Sequence, residues 1–346
     1  MLSVGIIGCG KIAQVRHIPE YIENGNCKLI GFYDKNPKRT HEVAQKYGGI
    51  AYGSYEELLA NKEIDAVSIC VSNHLHAEIT IAALRAGKHV LCEKPMATTL
   101  ADCEAMVRTA EDVGKKLLIG HNQRLAPAHK RAKQLIEEGL IGDIITFKTT
   151  FGHSGPETWS IDAGRDVWFF DKNTAVMGAM ADLGVHKTDL IQFLTGETIV
   201  ETTAKLATLN KKTSEGKPIG VDDNAFCIYK MSNGIIGTMT ASWTYYGPED
   251  NSTILYGTKG IMRIYDDPKY AIKVLLNNGE KINYELEGIQ TNENQTKSGV
   301  IDLFVNSILN DMETELSGKI ALSAMRAVFA SIESSNTGRT IAINQD

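Results

Sequence analysis

Val4-Gly5-Ile6-Ile7-Gly8-Cys9-Gly10-Lys11-Ile12-Ala13 carries an apolar β-type run into a glycine turn and then into a helical pattern. Gly8, Gly10 and Ala13 make a G-x-G-x-x-A element. By itself the element is weak evidence, since 31 glycines in 346 residues produce such spacings by chance. Its position makes it informative, because it closes the first strand pattern and opens the first helix pattern. Gly8 permits the tight turn, Gly10 lets the backbone approach a pyrophosphate, and Ala13 allows close helix–strand packing. Lys11 and Ile12 open the helix, whose first turn offers N–H donors and the positive end of its dipole. The next strand pattern ends at Phe32-Tyr33-Asp34, where a carboxylate can accept both hydroxyls of an adenosine ribose and repel a 2′-phosphate. That favours NAD. Lys35, Lys38 and Arg39 follow at once and can offset the repulsion, which keeps NADP open.

Outward from this stretch, short apolar runs alternate with segments of helical period up to about residue 120. Val4–Ile7, Lys28–Tyr33, Ala66–Val71, His89–Cys92 and Lys116–Ile119 read as strands buried on both faces. Ile12–Asn24, Pro37–Tyr47, Tyr55–Asn61, His76–Ala86 and Leu100–Val113 read as the helices between them. The repetition predicts an α/β class with a doubly wound parallel sheet. Past His121 the rhythm changes. Ala128–Glu138 and Asp182–Leu194 read as helices, followed by strand patterns at Val200–Leu209, Asn224–Met231, Ile235–Tyr245, Ser252–Gly257, Ile261–Tyr265, Ile272–Leu276 and Lys281–Leu286. Ser232-Asn233-Gly234 and Asn277-Asn278-Gly279 are hairpin signals. A largely antiparallel sheet with two closing helices, Ile301–Leu309 and Ala321–Ser334, is expected.

Composition excludes several classes. Hydrophobic residues at 43% and charged residues at 23%, with 8 prolines, describe an ordinary globular chain. Lys plus Arg number 36 against 42 Asp plus Glu, a formal charge of −6. Without a basic run there is no electrostatic reason to hold a polyphosphate backbone, so no nucleic-acid partner is expected. No signal peptide and no membrane span is read, and the expected setting is cytoplasmic. Cys9, Cys27, Cys70, Cys92, Cys103 and Cys227 are scattered without a C-x-x-C pair, which suits free thiols in a reducing compartment.

Two strings carry acid–base chemistry. Glu93-Lys94-Pro95 puts a lysine just past the carboxyl end of a buried strand, the rim where open α/β sheets bind ligands. An ammonium there stabilises an alkoxide-like oxygen, although a solvated loop lysine is the bland reading of the same string. Pro95 sets the turn and suits a cis bond. Asp182-Leu183-Gly184-Val185-His186 places Asp182 and His186 at i and i+4, on one face of a helix. A neutral imidazole can take a hydroxyl proton while a carboxylate orients its ring. The bland alternative makes Asp182 an N-cap with His186 on the helix flank.

Gly8–Ala13, Ser72-Asn73-His74-Leu75-His76, Ala86-Gly87-Lys88-His89, Glu93-Lys94-Pro95, Gly139-x-x-Gly142-Asp143-Ile144 and Asp182–His186, in this order, resemble the glucose–fructose oxidoreductase / inositol dehydrogenase / MocA-type (Gfo/Idh/MocA) family. The resemblance implies an N-terminal NAD(P)-binding Rossmann domain, taken as 1–122. A C-terminal α/β domain, taken as 123–346, would bind substrate and form homodimers or homotetramers through a large, mostly antiparallel open sheet. The implied reaction is NAD(P)-linked hydride transfer at a secondary hydroxyl or carbonyl of a sugar, cyclitol or related polyol. Lys94, Asp182 and His186 would be catalytic. Ser72, Asn73, His76, Glu93, Lys94 and Asn122 would join Gly8, Gly10, Lys11, Ile12 and Asp34 around the cofactor. Asn122 and Arg124 match the strand-end segment that lines the family's cleft. Where many members carry Gly-Gly before the D-x-x-x-H element, this chain has Val176-Met177-Gly178-Ala179, a departure that can reshape the pocket.

Ahead of that element lie Trp159, Arg165, Asp166, Trp168, Phe169 and Phe170. Arg165 and Trp168 are the expected sugar contacts, with Phe169 and Phe170 at least as well suited to core packing. Tyr245 and Tyr246 suit either the cleft or an oligomer interface. His17, His41, His129 and His153 lack ligand spacing and read as surface or packing residues. A metal would need His74 and His76 plus a third donor, and none is expected. Two other activities fit the same motifs: a redox-neutral glycosidase or lyase that holds NAD through its cycle, and a regulator that binds dinucleotide without turnover.

Overall fold

A computed structural model describes residues 1–289 and 297–345, and two compact units emerge. The first begins with β1 (Leu2–Ile7), β2 (Cys27–Tyr33), β3 (Ile50–Ala51), β4 (Ala66–Ile69), β5 (His89–Cys92) and β6 (Leu117–Ile119). All neighbours pair in parallel, in the order β3-β2-β1-β4-β5-β6. This is the doubly wound dinucleotide-binding order, with its switch point between β1 and β4. Every residue of β1 is buried, as a central parallel strand covered on both faces requires.

The crossovers are α1 (Ile18–Glu23, preceded by a π-helical turn Ala13–His17), α2 (Pro37–Tyr47), α3 (Tyr55–Ala60), α4 (His76–Arg85) and α5 (Leu100–Val113). Their ends follow local chemistry. Asn36 caps α2 by accepting from the Lys38 N–H at 3.1 Å, with Pro37 preset for the first turn. Thr99 caps α5 and exchanges a second hydrogen bond with Asp102, and Gly114 closes the helix in the left-handed region.

The second unit contains α6 (Pro127–Glu137), β7 (Ile144–Gly152), α7 (Val185–Thr195), β8 (Ile199–Ala207), β9 (Asn224–Met231), β10 (Ile236–Ser242), β11 (Thr253–Gly257), β12 (Gly260–Ile264), β13 (Ile272–Leu276) and β14 (Lys281–Tyr284). After α8 (Val300–Leu309) and α9 (Gly318–Thr337), β15 (Ile341–Ala342) completes a sheet ordered β14-β13-β12-β11-β7-β10-β9-β8-β15. Only β7 and β10 run parallel in it; the other pairs are antiparallel. In β9 Ala225, Cys227, Tyr229 and Met231 point inward while Phe226, Ile228 and Lys230 are exposed, the period-two pattern of a sheet covered on one face.

The mixed sheet matches the expected class, but its middle strand, β7, is absent from the sequence reading. Ile144–Gly152 holds Thr146, Thr149 and Thr150 with Lys148 among them, so its alternation is masked. Lys148 faces outward, whereas Thr149 turns inward and exchanges a hydrogen bond with Thr253 at 2.8 Å, which lets a polar residue sit in the core. The two-residue strands β3 and β15 were equally invisible.

Residues 297–322 belong with the first unit, although the sequence reading places them in 123–346. The Glu20 carboxylate accepts from Ser298 N–H and Oγ–H at 2.7 and 3.0 Å, and Asn24 donates to Asp302 at 2.8 Å. Ile301, Phe304 and Val305 of α8 are fully buried. All six cysteines are free and buried, as expected. Among the described residues no helix is long and apolar enough to cross a membrane. Truncation of the fully buried Phe304 to Ala should cost about 3–5 kcal/mol in the cooperative unfolding of the first unit, read as a lower urea midpoint.

Candidate functional site

At the carboxyl rim of the parallel sheet, Gly8 adopts φ +93°, and a Cβ there would lie 2.6 Å from the Cys70 carbonyl carbon and oxygen. Only glycine fits. Gly10 differs, because a Cβ there would meet nothing within 4 Å, leaving open space in front of the turn. Ala13 is fully buried. Asp34 holds the turn from the end of β2: its Oδ2 accepts the Cys9 N–H at 2.8 Å and its Oδ1 the Asn36 N–H at 2.9 Å. A carboxylate has about four acceptor positions, so capacity remains for two ribose hydroxyls. The Arg39 guanidinium lies 3.7 Å from Oδ1. The open space at Gly10, the helix N-terminus and the acid fit the phosphates and ribose of a dinucleotide.

Past the end of β5, the buried Glu93 accepts from His17 Nε2 at 2.9 Å, lies 3.9 Å from Arg16, and accepts the Lys94 N–H at 3.1 Å. His17 Nδ1 continues to Ser68 at 3.2 Å, and Ser68 to the Tyr21 hydroxyl at 2.8 Å. Burial alone would raise the Glu93 pKa, but the His17 hydrogen bond and the fields of His17, Arg16 and Lys94 hold it down to about 2. His17, read from sequence as a surface or packing residue, is therefore a buried member of this network. Lys94 is half-buried, and the Lys94–Pro95 peptide is cis.

His76 is also buried, and its ring nitrogens face the Pro95 and Val71 carbonyls at 2.7 and 3.1 Å. Burial lowers its pKa. The ring thus braces the Glu93-Lys94-Pro95 turn with the atoms that would otherwise reach a ribose. Ser72 is half-buried with its hydroxyl 3.3 Å from His74; Asn73 is buried and Asn122 half-buried. Lys11 and Ile12 are half-buried at the helix opening.

In the second unit, Asp182 and His186 sit where a π-helical turn, Met180–Gly184, runs into α7, and both are buried. Such turns insert an extra residue per hydrogen bond and frequently mark functional sites. The helix starts before Asp182, so Asp182 is not its N-cap. The N-cap position is Ala179, and the N–H groups at the helix start are taken from across the fold by Asp222, which accepts those of Gly178 and Met180, each at 2.8 Å, while its carbonyl accepts from Ala179. Gly178 is obligatory, because a Cβ there would lie 1.8 Å from the Asp222 carbonyl oxygen. Burial raises the Asp222 pKa against the opposing pull of those N–H bonds. Asp182 in turn accepts the indole N–H of Trp243 at 3.0 Å. Neither Asp222 nor Trp243 was singled out from sequence, and only the Asp222-Asp223 doublet offered a cue.

Arg124 is committed elsewhere than expected. Its Nε and Nη2 bind the Asp189 carboxylate at 2.6 and 2.7 Å, a buried bidentate pair beside the Phe193 ring. Arg165 is exposed. Trp168 stacks on Phe169 with ring centroids 3.8 Å apart, while Phe170 is buried against Trp243. His129 and His153 are buried; His129 bonds the Gln123 carbonyl at 2.7 Å and His153 accepts the Gly155 N–H at 3.0 Å. His41 is the exposed one, bonded to the Pro37 carbonyl. Beside His186, the fully buried Lys187 donates to the Asn251 carbonyl at 2.8 Å, and burial lowers its pKa to about 7 against the fields of Asp250 and Glu249. Tyr246 is exposed, with its hydroxyl on Asn210 and its ring under Lys211.

Comparison with known proteins agrees with this geometry. Residues 2–121 match an oxidoreductase family with an NAD-binding Rossmann fold, and residues 129–263 match the GFO/IDH/MocA C-terminal domain. Levoglucosan dehydrogenase of Pseudarthrobacter phenanthrenivorans is 31% identical over 287 residues, 75% of this chain and 72% of that one. Inositol 2-dehydrogenase of Rhizobium meliloti is 25% identical over 98% of both chains. Among solved structures, a levoglucosan dehydrogenase in complex with NADH and levoglucosan superposes with a TM-score of 0.84, at 25% identity over the full length of both.

Two outcomes follow. Gly178→Ala should lower the thermal midpoint by several degrees, since the clash is with backbone that cannot yield. Glu93 contributes stability that is full above its usual value of 4.5 and is lost as pH falls toward about 2. Acid unfolding of Glu93→Gln, followed by circular dichroism, should therefore lack the part of the wild-type pH dependence that lies in that window.

Proposed function

The chain belongs to the Gfo/Idh/MocA oxidoreductase family, and on that premise we propose that it oxidises or reduces one secondary hydroxyl of a sugar, cyclitol or related polyol with NAD. The observation that carries this reading is the buried Asp182 and His186 four residues apart at one helix start, where Asp222 accepts the Gly178 and Met180 amides and Trp243 donates to Asp182. A protein that only sensed dinucleotide would have no need to shield and brace an acid–base pair.

When bound, the nicotinamide ring supplies the hydride acceptor or donor. The chain's own groups do the rest. The Gly8–Ile12 turn and helix opening hold the phosphates, and Asp34 holds the adenosine ribose. The Lys94 ammonium stabilises negative charge on the reacting oxygen. His186 exchanges the hydroxyl proton, and Asp182 orients that exchange. Asp34 favours NAD over NADP by repelling a 2′-phosphate. Trp168, half-buried on Phe169, offers an aromatic face for sugar C–H groups, with Arg165 as a hydroxyl or anion contact from the same loop.

Assembly as a homodimer or homotetramer is supported by the outward face of the large sheet, where Phe226, Ile228 and Ile236 are exposed. Six buried free thiols suit a cytoplasmic setting.

Purified protein given NAD⁺ or NADP⁺ and a panel including levoglucosan, myo-inositol and glucose should raise nicotinamide absorbance with at least one of them, faster with NAD⁺. Silence across the panel in both directions, with cofactor demonstrably bound, would overturn the proposal. Lys94→Ala and His186→Asn should each lower kcat by about 10²–10⁴-fold while NADH affinity, read by fluorescence, stays near wild type.

A further inference from the structure

Trp243 follows the last residue of β10 and is fully buried. Its backbone N–H is bound to the Asp223 carbonyl at 2.8 Å, so the residue is pinned at the main chain. Its ring lies between two claims. On one side Phe170 and Phe169 approach it with centroids 5.8 and 6.5 Å away, and Phe169 carries the stacked Trp168 ring. On the other, its Nε1–H points at Asp182 Oδ2, 3.0 Å away.

An indole N–H can only donate, and in a buried setting it must find an acceptor. A carboxylate that receives it has one oxygen committed. Rotation of Asp182 would then leave a buried donor unsatisfied, which costs far more than a net hydrogen bond contributes. The aromatic contacts keep the indole from following such a rotation.

We propose that Trp243 is the positioning residue for Asp182: it holds the carboxylate by its indole N–H, and the Phe169–Phe170 pair keeps the indole in place. The inference rests on the catalytic reading of Asp182. It adds a residue outside every motif used to reach that reading, and it ties the aromatic loop around Trp168 to the acid–base helix through packed rings.

The test has one arm independent of turnover. The chain has 3 tryptophans, so a protein labelled with ¹⁵N at the indole gives few signals, and Trp243→Phe identifies its own by loss. In Asp182→Ala that signal should move upfield and its hydrogen exchange should accelerate. An indole signal indifferent to Asp182→Ala would overturn the proposal, whatever the substrate turns out to be. The second arm is a double-mutant cycle on the best substrate of the panel. Trp243→Phe keeps an aromatic ring but removes the N–H donor, and it should lower kcat about 10–100-fold, with the sugar KM and NADH affinity within about twofold of wild type. Combined with Asp182→Ala, which removes the acceptor, the same substitution should cost less than about twofold. Equal losses in both backgrounds would also overturn it. If wild type turns over nothing, the functional reading fails while the indole arm still decides the contact.

Discussion

Buried carboxylates that accept backbone N–H groups are what set the working parts of this protein in place. Asp34 reaches from the end of β2 to the Cys9 amide and so shapes the glycine turn. Glu93 accepts the amide of Lys94, the residue it precedes. Asp222 takes the amides of Gly178 and Met180 and starts the helix that bears Asp182 and His186, while Asp223 gathers those of Leu209, Asn210 and Lys211. Partners decide how each carboxylate titrates. Glu93 has His17 and Arg16 beside it, and they overrule burial; Asp222 has backbone N–H groups to draw its pKa down, but burial, joined by the Asp223 charge, wins. Asp223 is fully buried, yet the N–H bonds from Lys211, Leu209 and Asn210 prevail over burial to lower its pKa.

Much of the fold was legible because its signals are local. A glycine turn between strand and helix, and apolar runs for doubly covered strands, are both properties of neighbours in sequence. Legibility failed where tertiary context decides. The middle strand of the large sheet hid behind its threonines because its polar inward residue Thr149 finds a partner, Thr253, more than a hundred positions away. The placement of α8 depends on Glu20 and Asn24 meeting Ser298 and Asp302, contacts no periodicity announces.

The site shows the same division. Motifs named the residues whose types carry the chemistry, but not the scaffold that points them. Arg124 was placed at the cleft by family resemblance alone, and no motif announced that Asp189, on α7, would bind its guanidinium. His17 looked idle for want of ligand spacing, yet it is paired with Glu93 from another crossover. Trp243 and Asp222 belong to no short pattern, since each acts on residues about 40 to 60 positions earlier in the chain.

Gly178 constrains more than its own position. The main chain there passes so close to Asp222 that no side chain of any kind can be admitted. Its flanks, Met177 and Ala179, carry no such prohibition and are both buried next to the acid–base helix. Bulk in this stretch can therefore change only beside Gly178, and on the far side it meets Ala179, whose amide already binds the Asp222 carbonyl where the helix begins.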